Sequence, residues 1–155
     1  MICTQRRLRI SAVLIGLLLT FIWGNSLMPG EVSLAFSQWA KHVLAWLLPW
    51  DLPVVEEGSG LLRKLAHFAE FAALGMCLAW RNGMRKKAPH WAFLCGAAAA
   101  ALDETIQCFV PGRGPAVKDA LLDSGGVLTG MFFIYLGHTI LKKRKTNSHN
   151  FGGYF

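Results

Sequence analysis

Ionisable side chains recur at helical spacing within one otherwise apolar stretch of the chain. Lys64, His67 and Glu70 lie three residues apart. At about 100° per residue they sweep an arc of about 120° on one helix face. A histidine beside a carboxylate suits general acid–base chemistry, and a lysine suits an anionic ligand. His67 and Glu70 are therefore candidate catalytic residues, and Lys64 is a candidate ligand-binding residue.

A second group of polar side chains follows some 30 residues later. Asp103, Glu104 and Gln107 fall within about 100° of one another on a helix, and Arg113 lies in the loop beyond them. The guanidinium of Arg113 is suited to hold a phosphate or a carboxylate. Asp103 and Glu104 are candidate catalytic residues, while Gln107 and Arg113 are candidate ligand-binding residues.

A third group opens the last apolar stretch. Asp119 and Asp123 share a helix face, which Gly126 and Gly130 continue. The glycine spacing lets this face press against a neighbouring helix, so the two acids would stand at the open end of a helix seam. Both are candidate ligand-binding residues.

Each of these groups also has a structural explanation when it is taken alone. His67 could be a packed, hydrogen-bonded residue, and Glu70 with Lys64 or Arg113 could be a buried pair that sets helix register. Asp119 could be a cap. The number of ionisable groups favours a functional pocket, because buried charges are costly in lipid and a register needs only one pair.

The motifs of several enzyme classes are missing from the sequence. It contains no P-loop, no dinucleotide fingerprint and no nucleophile motif. His67 with neighbouring carboxylates could hold a divalent metal, but HExxH spacing is missing, so we predict no metal and no cofactor. Whether the protein is an enzyme stays open.

The composition indicates a membrane protein. Of the 155 residues, 54% are hydrophobic and only 16% are charged, against about 25% charged in soluble domains. The net charge of +7 does not indicate nucleic acid, because most basic residues flank apolar segments. The four cysteines show no CxxC motif or regular spacing, so no disulfide framework or zinc site follows.

The hydropathy pattern predicts an all-α protein with four transmembrane helices. We expect one domain over residues 1–145 and a disordered polar tail over 146–155. An amphipathic, tryptophan-rich helix at about 33–50 is expected in the outer interface, after a turn at Pro29-Gly30. The four spans are expected at about 8–28, 61–80, 89–110 and 117–141.

The distribution of basic residues predicts the orientation. If the amino terminus is inside, 11 of the 16 basic residues face the cytoplasm. The positive-inside rule then places both termini in the cytoplasm and the polar groups towards the outer surface. These inner residues are Arg6, Arg7, Arg9, Arg81, Arg85, Lys86, Lys87, Lys142, Lys143, Arg144 and Lys145.

Three ordered blocks resemble the VanZ-like family of small bacterial membrane proteins. The first is Lys64-x-x-His67-Phe68-x-Glu70-Phe71-x-x-Leu74-Gly75. The second is Asp103-Glu104-x-x-Gln107-x-Phe109-x-x-Gly112-Arg113, and the third is Asp119-x-x-x-Asp123-x-x-Gly126-x-x-x-Gly130. The segment Asn25-Ser26-Leu27-Met28-Pro29-Gly30 is similar to the end of the family's first helix, and the resemblance covers roughly residues 10 to 140.

The resemblance implies a multi-pass helical protein of the bacterial cytoplasmic membrane, in a family linked to teicoplanin resistance. It implies a phenotype and not a reaction. Our first hypothesis is an outward pocket that binds a lipid-linked wall precursor, a related amphiphile or a glycopeptide. The alternatives are a membrane-embedded hydrolase or transferase that uses histidine and carboxylates, a purely structural interaction protein and, more remotely, a transporter.

Overall fold

Five α-helices make up the part of the chain that the computed structural model describes, which is residues 2–47, 61–114 and 116–151. No strand occurs within these ranges, which confirms the all-α prediction. Residues 48–50 of the expected interfacial helix and residues 152–155 of the expected tail lie outside them. The helices are α1 (Ile2–Ser26), α2 (Gly30–Leu47), α3 (Leu61–Met84), α4 (Pro89–Gln107) and α5 (Val117–Phe151).

Several helix boundaries differ from the sequence prediction. α1 begins at Ile2 and not near 8, and α3 continues to Met84 and not to about 80. α4 ends at Gln107 and not near 110, because the chain tightens into turns ahead of Pro111, which cannot continue a helix. α5 continues through residues 146–151, where we expected a disordered tail. Extending an existing helix needs no new nucleus, and the basic residues before this segment are good helix formers.

The closest helix packing is between α3 and α5. A Cβ added at Gly126 would stand 2.5 Å from the carbonyl oxygen of Phe68, and one at Gly130 would overlap that of Ala72. On the opposite helix, a Cβ at Gly75 would overlap the carbonyl of Val127. The predicted glycine seam is therefore confirmed, and it brings the backbones of the two helices into contact.

The interior is unusually polar and the outside unusually apolar. Ser26, Asp103 and Asp123 are buried, whereas Leu17 and Phe132 are exposed together with many other large apolar side chains. Water would disfavour such a surface, and lipid would favour it. Among the described residues, two segments are long and apolar enough to cross a bilayer, Thr4–Ser26 and Val117–Lys143.

An arginine contact ties helices together at the end of the bundle where α3 joins α4. The Nη1 atom of Arg81 donates to the carbonyl of Leu8 at 2.6 Å and to Oγ of Ser11 at 3.0 Å. Asn82 Nδ2 donates to the carbonyl of Ala88 at 2.7 Å and closes the α3–α4 turn. This end joins α1 to α3, and the candidate residues lie nearer the other end of α3.

Candidate functional site

His67 on α3 lies between two carboxylates without bonding to either. Its Nδ1 atom is 3.8 Å from Oε2 of Glu70 and 4.0 Å from Oδ2 of Asp103, and its side chain is 12% exposed. Both distances exceed a hydrogen bond. Nδ1 is buried and has no hydrogen-bond partner among the described residues, so a small ligand or a modest rotation is needed to satisfy it.

Asp103 on α4 is fully buried, and a neighbouring amide fixes its position. Nε2 of Gln107 donates to Oδ2 of Asp103 at 2.8 Å and reaches Oγ of Ser26 at 3.3 Å. The other carboxylate oxygen, Oδ1, has no hydrogen-bond partner within the described part of the chain. One oxygen of this carboxylate is therefore fixed by a hydrogen bond, and the other is available to a further group.

Asp123 brings α5 to the same point. It is 2% exposed, and one of its oxygens lies within 4.8 Å of ligand atoms of both His67 and Asp103. The glycine seam explains the approach, because Gly126 lies less than one turn beyond Asp123 and holds α5 against α3. Three helices thus converge on these three side chains.

The charged groups around this point make defined contacts. Nζ of Lys64 pairs with Oδ1 of Asp119 at 2.6 Å and joins α3 to α5. Oε2 of Glu104 accepts a hydrogen bond at 2.9 Å from the backbone of Ala116, the residue before α5. These groups surround a small polar pocket, which is lined by Arg63, Lys64, His67, Glu104, Gln107, Asp119, Leu122 and Asp123.

Arg113 holds the end of α1. Its Nε donates to the carbonyl of Met28, just beyond α1, at 3.1 Å, and its Nη2 donates at 2.9 Å to that of Asn25, which also accepts from the backbone N–H of Met28. The carboxyl end of a helix carries negative partial charge, which favours a guanidinium there. Burial lowers the pKa of the Arg113 guanidinium, and the nearby charge of Arg63 lowers it further. Its Nη1 atom is buried without a partner among the described residues.

Glu70 faces the same side as Arg113. Its Oε1 accepts a hydrogen bond from Nδ2 of Asn25 at 3.0 Å, and its Oε2 is unpartnered within the described ranges. Both residues border a larger cavity of about 310 Å³. This cavity is lined by Phe21, Asn25, Met28, Ser33, Phe36, Ser37, Ala40, Leu62, Arg63, Ala66, His67, Glu70 and Arg113.

Comparison with known families identifies the chain. The sequence model of the VanZ/LLP1 family matches residues 11–140, most of its length. The chain belongs to the VanZ/LLP1 family. Members are associated with teicoplanin resistance, and membership together with the apolar helices makes this a membrane protein. Neither the search of curated proteins nor the search of solved structures found a match.

In this VanZ/LLP1 protein eight of the nine candidate residues line two adjoining cavities, where we expected one pocket. Six line the small polar pocket, namely Lys64, His67, Glu104, Gln107, Asp119 and Asp123. His67, Glu70 and Arg113 line the larger cavity, and Asp103 is buried beside His67. His67 belongs to both cavities, so it lies where they adjoin.

The sequence prediction did not include three residues that bond to candidate residues or line the cavities. Asn25 and Ser26 bond to Glu70 and Gln107, and Arg63 lines both cavities. The sequence could have indicated Asn25 and Ser26, because they are a polar pair at the end of an apolar helix. The sequence does not distinguish Arg63 from the adjacent Lys64. The rotation of the helix decides which of two adjacent basic residues faces a cavity.

Proposed function

We propose that the chain spans the bacterial cytoplasmic membrane four times, as one domain over residues 1–145, with both termini in the cytoplasm. The spans are those expected near 8–28, 61–80, 89–110 and 117–141. The apolar surface supports this proposal, because it extends beyond the two most apolar helices to α3 and α4. Leu65, Trp91, Leu94 and Leu102 on these helices are exposed.

We further propose that the larger cavity binds the polar head of a lipid-linked wall precursor or a related amphiphile from the outer side. The observation that carries this proposal is that charged and apolar side chains line the same cavity. Arg63, His67 and Arg113 are among the polar lining residues, and Phe21 and Phe36 are among the apolar ones. A ligand with a phosphorylated head and a hydrocarbon chain would contact both kinds of side chain.

Different polar groups of the cavity would bind different parts of the ligand head. The unpartnered Nη1 of Arg113 and the neighbouring Arg63 would bind anionic oxygens. Glu70 Oε2 lacks a partner within the described ranges, so it would bind a hydroxyl or amide group. By sequestering such a head group, this member would contribute to protection against teicoplanin.

A pair of alanine positions tests the cavity. Ala66 and Ala69 are both exposed on α3, but only Ala66 lines the cavity. In lipid nanodiscs with a fluorescent polyprenyl-diphosphate saccharide, Ala66→Leu should weaken binding about tenfold, which is a loss of about 1.4 kcal/mol. Ala69→Leu should bind as the parent does. Equal affinity of the two variants would refute binding in this cavity.

The same pair tests the phenotype. In a teicoplanin-susceptible strain, the parent and Ala69→Leu should raise the inhibitory concentration of teicoplanin, and Ala66→Leu should not. Protein abundance in the membrane is measured in parallel by immunoblot. Protection by Ala66→Leu at parental abundance would show that resistance does not require ligand binding in this cavity.

One observation favours catalysis as a second candidate. His67 Nδ1 is about 4 Å from both the Glu70 and the Asp103 carboxylates, an arrangement in which a carboxylate can orient a general base. A hydrolase or transferase would convert the same probe, and His67→Gln should abolish this turnover while leaving most of the binding. Binding without turnover of the probe in the parent would rule this candidate out for that substrate class.

A further inference from the structure

We propose that His67, Asp103 and Asp123 form a binding site for one divalent metal cation, such as Zn²⁺ or Mn²⁺. An imidazole with two carboxylates is a donor set that these ions accept. The site would lie where α3, α4 and α5 meet, beside the larger cavity. It does not depend on amphiphile binding, because the cation needs only these three side chains and water.

The spacing of the three side chains is close to that of a metal site. Their ligand atoms all lie within 4.8 Å of one another. Three atoms no more than 4.8 Å apart lie within about 2.8 Å of one common point, and ligand bonds are about 2.0–2.2 Å long, so side-chain rotations that move each donor inward by less than about 1 Å suffice. The three helices thus already place the donors around one point.

Two unpartnered atoms point independently to a ligand at this place. Oδ1 of Asp103 belongs to a side chain with 0% exposure and has no hydrogen-bond partner within the described ranges, and Nδ1 of His67 is buried and equally unpartnered. Buried polar atoms are almost always satisfied in folded proteins. A cation would satisfy both atoms at once.

The charges around the cluster also favour a cation. Asp103 and Asp123 are carboxylates that share one buried location, and the bonds made by nearby Lys64 and Arg113 go to other groups. Lys64 pairs with Asp119, and Arg113 donates to carbonyls at the end of α1. Among the described residues, neither buried aspartate has a lysine or arginine within ion-pair distance.

The surroundings provide the support that metal sites usually have. Gln107 donates to Oδ2 of Asp103 at 2.8 Å, which orients the carboxylate as outer hydrogen bonds do in metal proteins. The small polar pocket borders His67 and Asp123, so water or an anionic oxygen can complete the coordination. Spacing along the chain does not reveal this set, because its members come from three separate helices.

Mn²⁺ titration of the full chain in detergent, followed by electron paramagnetic resonance, tests the site without any lipid ligand. The parent should bind one equivalent of Mn²⁺, which lowers the signal of the free ion. Added Zn²⁺ should displace the bound Mn²⁺ and restore that signal. Asp103→Asn and Asp123→Asn should each weaken binding at least about tenfold. Glu31→Gln, at an exposed position in the first turn of α2, should bind as the parent does.

A second readout covers variants that fail to fold. Bound Mn²⁺ in the parent should show nitrogen coupling from an imidazole, and His67→Gln should lose that coupling. The proposal is overturned if the parent binds neither ion, if its bound Mn²⁺ lacks nitrogen coupling, or if folded Asp103→Asn and Asp123→Asn retain parental affinity. Any of these results would leave amphiphile binding in the larger cavity unaffected.

Discussion

At the scale of single residues, some polar side chains join helices, and some have unfilled bonding capacity. Glu104 and Arg113 were both expected from the sequence to serve a ligand. Glu104 accepts a hydrogen bond from Ala116, and Arg113 donates from Nε and Nη2 to carbonyls at the end of α1. His67, Glu70 and Asp103 keep buried atoms without partners among the described residues, and so does Arg113 at Nη1. The residues with unpartnered atoms are therefore the stronger place to look for ligand contacts.

The bonds of Arg113 lead to a stability prediction. Arg113→Gln should lower the free energy of unfolding by about 2 kcal/mol, because hydrogen bonds from a charged donor contribute about 1.5–3 kcal/mol each and this side chain is only partly buried. Thermal unfolding in detergent measures the loss. Arg85→Gln removes an exposed positive charge and should leave the midpoint unchanged. Equal midpoints for the two variants would contradict the capping role.

At the scale of helices, two kinds of contact position the site. Arg81 and Arg113 each hold α1, one near Leu8 and the other at the carbonyls of Asn25 and Met28. The glycine seam then fixes the approach of α5 to α3. Since Asp123 lies just before Gly126 on the seam face, the seam also sets how closely Asp123 approaches His67.

The seam can be tested with two glycines of α5. Gly130→Ala would push a Cβ into the carbonyl of Ala72, whereas a Cβ at Gly137 would meet no described atom within 4 Å. Overpacking of this kind typically costs about 1–3 kcal/mol, while Gly→Ala at an open helix position gains up to about 1 kcal/mol. Midpoints of unfolding should therefore fall for Gly130→Ala and hold or rise for Gly137→Ala. A parental midpoint for Gly130→Ala would argue against close packing of α3 and α5.

At the scale of the whole molecule, polar side chains are buried beside an apolar core, and large apolar side chains face outward. Asp103, Asp123 and Ser26 are inside, and large apolar side chains are outside. This distribution suits a lipid environment, in which buried polar groups gather away from acyl chains. Membership of the VanZ/LLP1 family agrees with it.

The proposed topology predicts the labelling of two loop positions. A Cβ added at Gly83 or at Gly114 would meet open space among the described residues, so cysteine is tolerated at either. In a cysteine-free background, an impermeant maleimide should label Gly114→Cys in intact cells and Gly83→Cys only after permeabilisation. Labelling of both variants in intact cells would refute four spans with inner termini.

The helices and the family could be predicted from the sequence, because both depend on local patterns. Apolar length and the Pro29-Gly30 turn placed the helices to within a few residues, apart from the start of α1 and the end of α5. The faces carrying His67, Asp103 and Asp123 followed from helical periodicity. The three blocks of spaced residues were enough to indicate the VanZ-like family, which the match over residues 11–140 confirmed.

Only the tertiary structure decided which atoms meet. The division into two cavities, the capping roles of Glu104 and Arg113, and the meeting of His67 with Asp103 and Asp123 all depend on distances between separate helices. Those distances are set by backbone contact at glycines and by arginine bonds across the bundle. Periodicity defines a face of one helix, but the rotation and separation of two helices come from packing, which no single stretch of sequence contains.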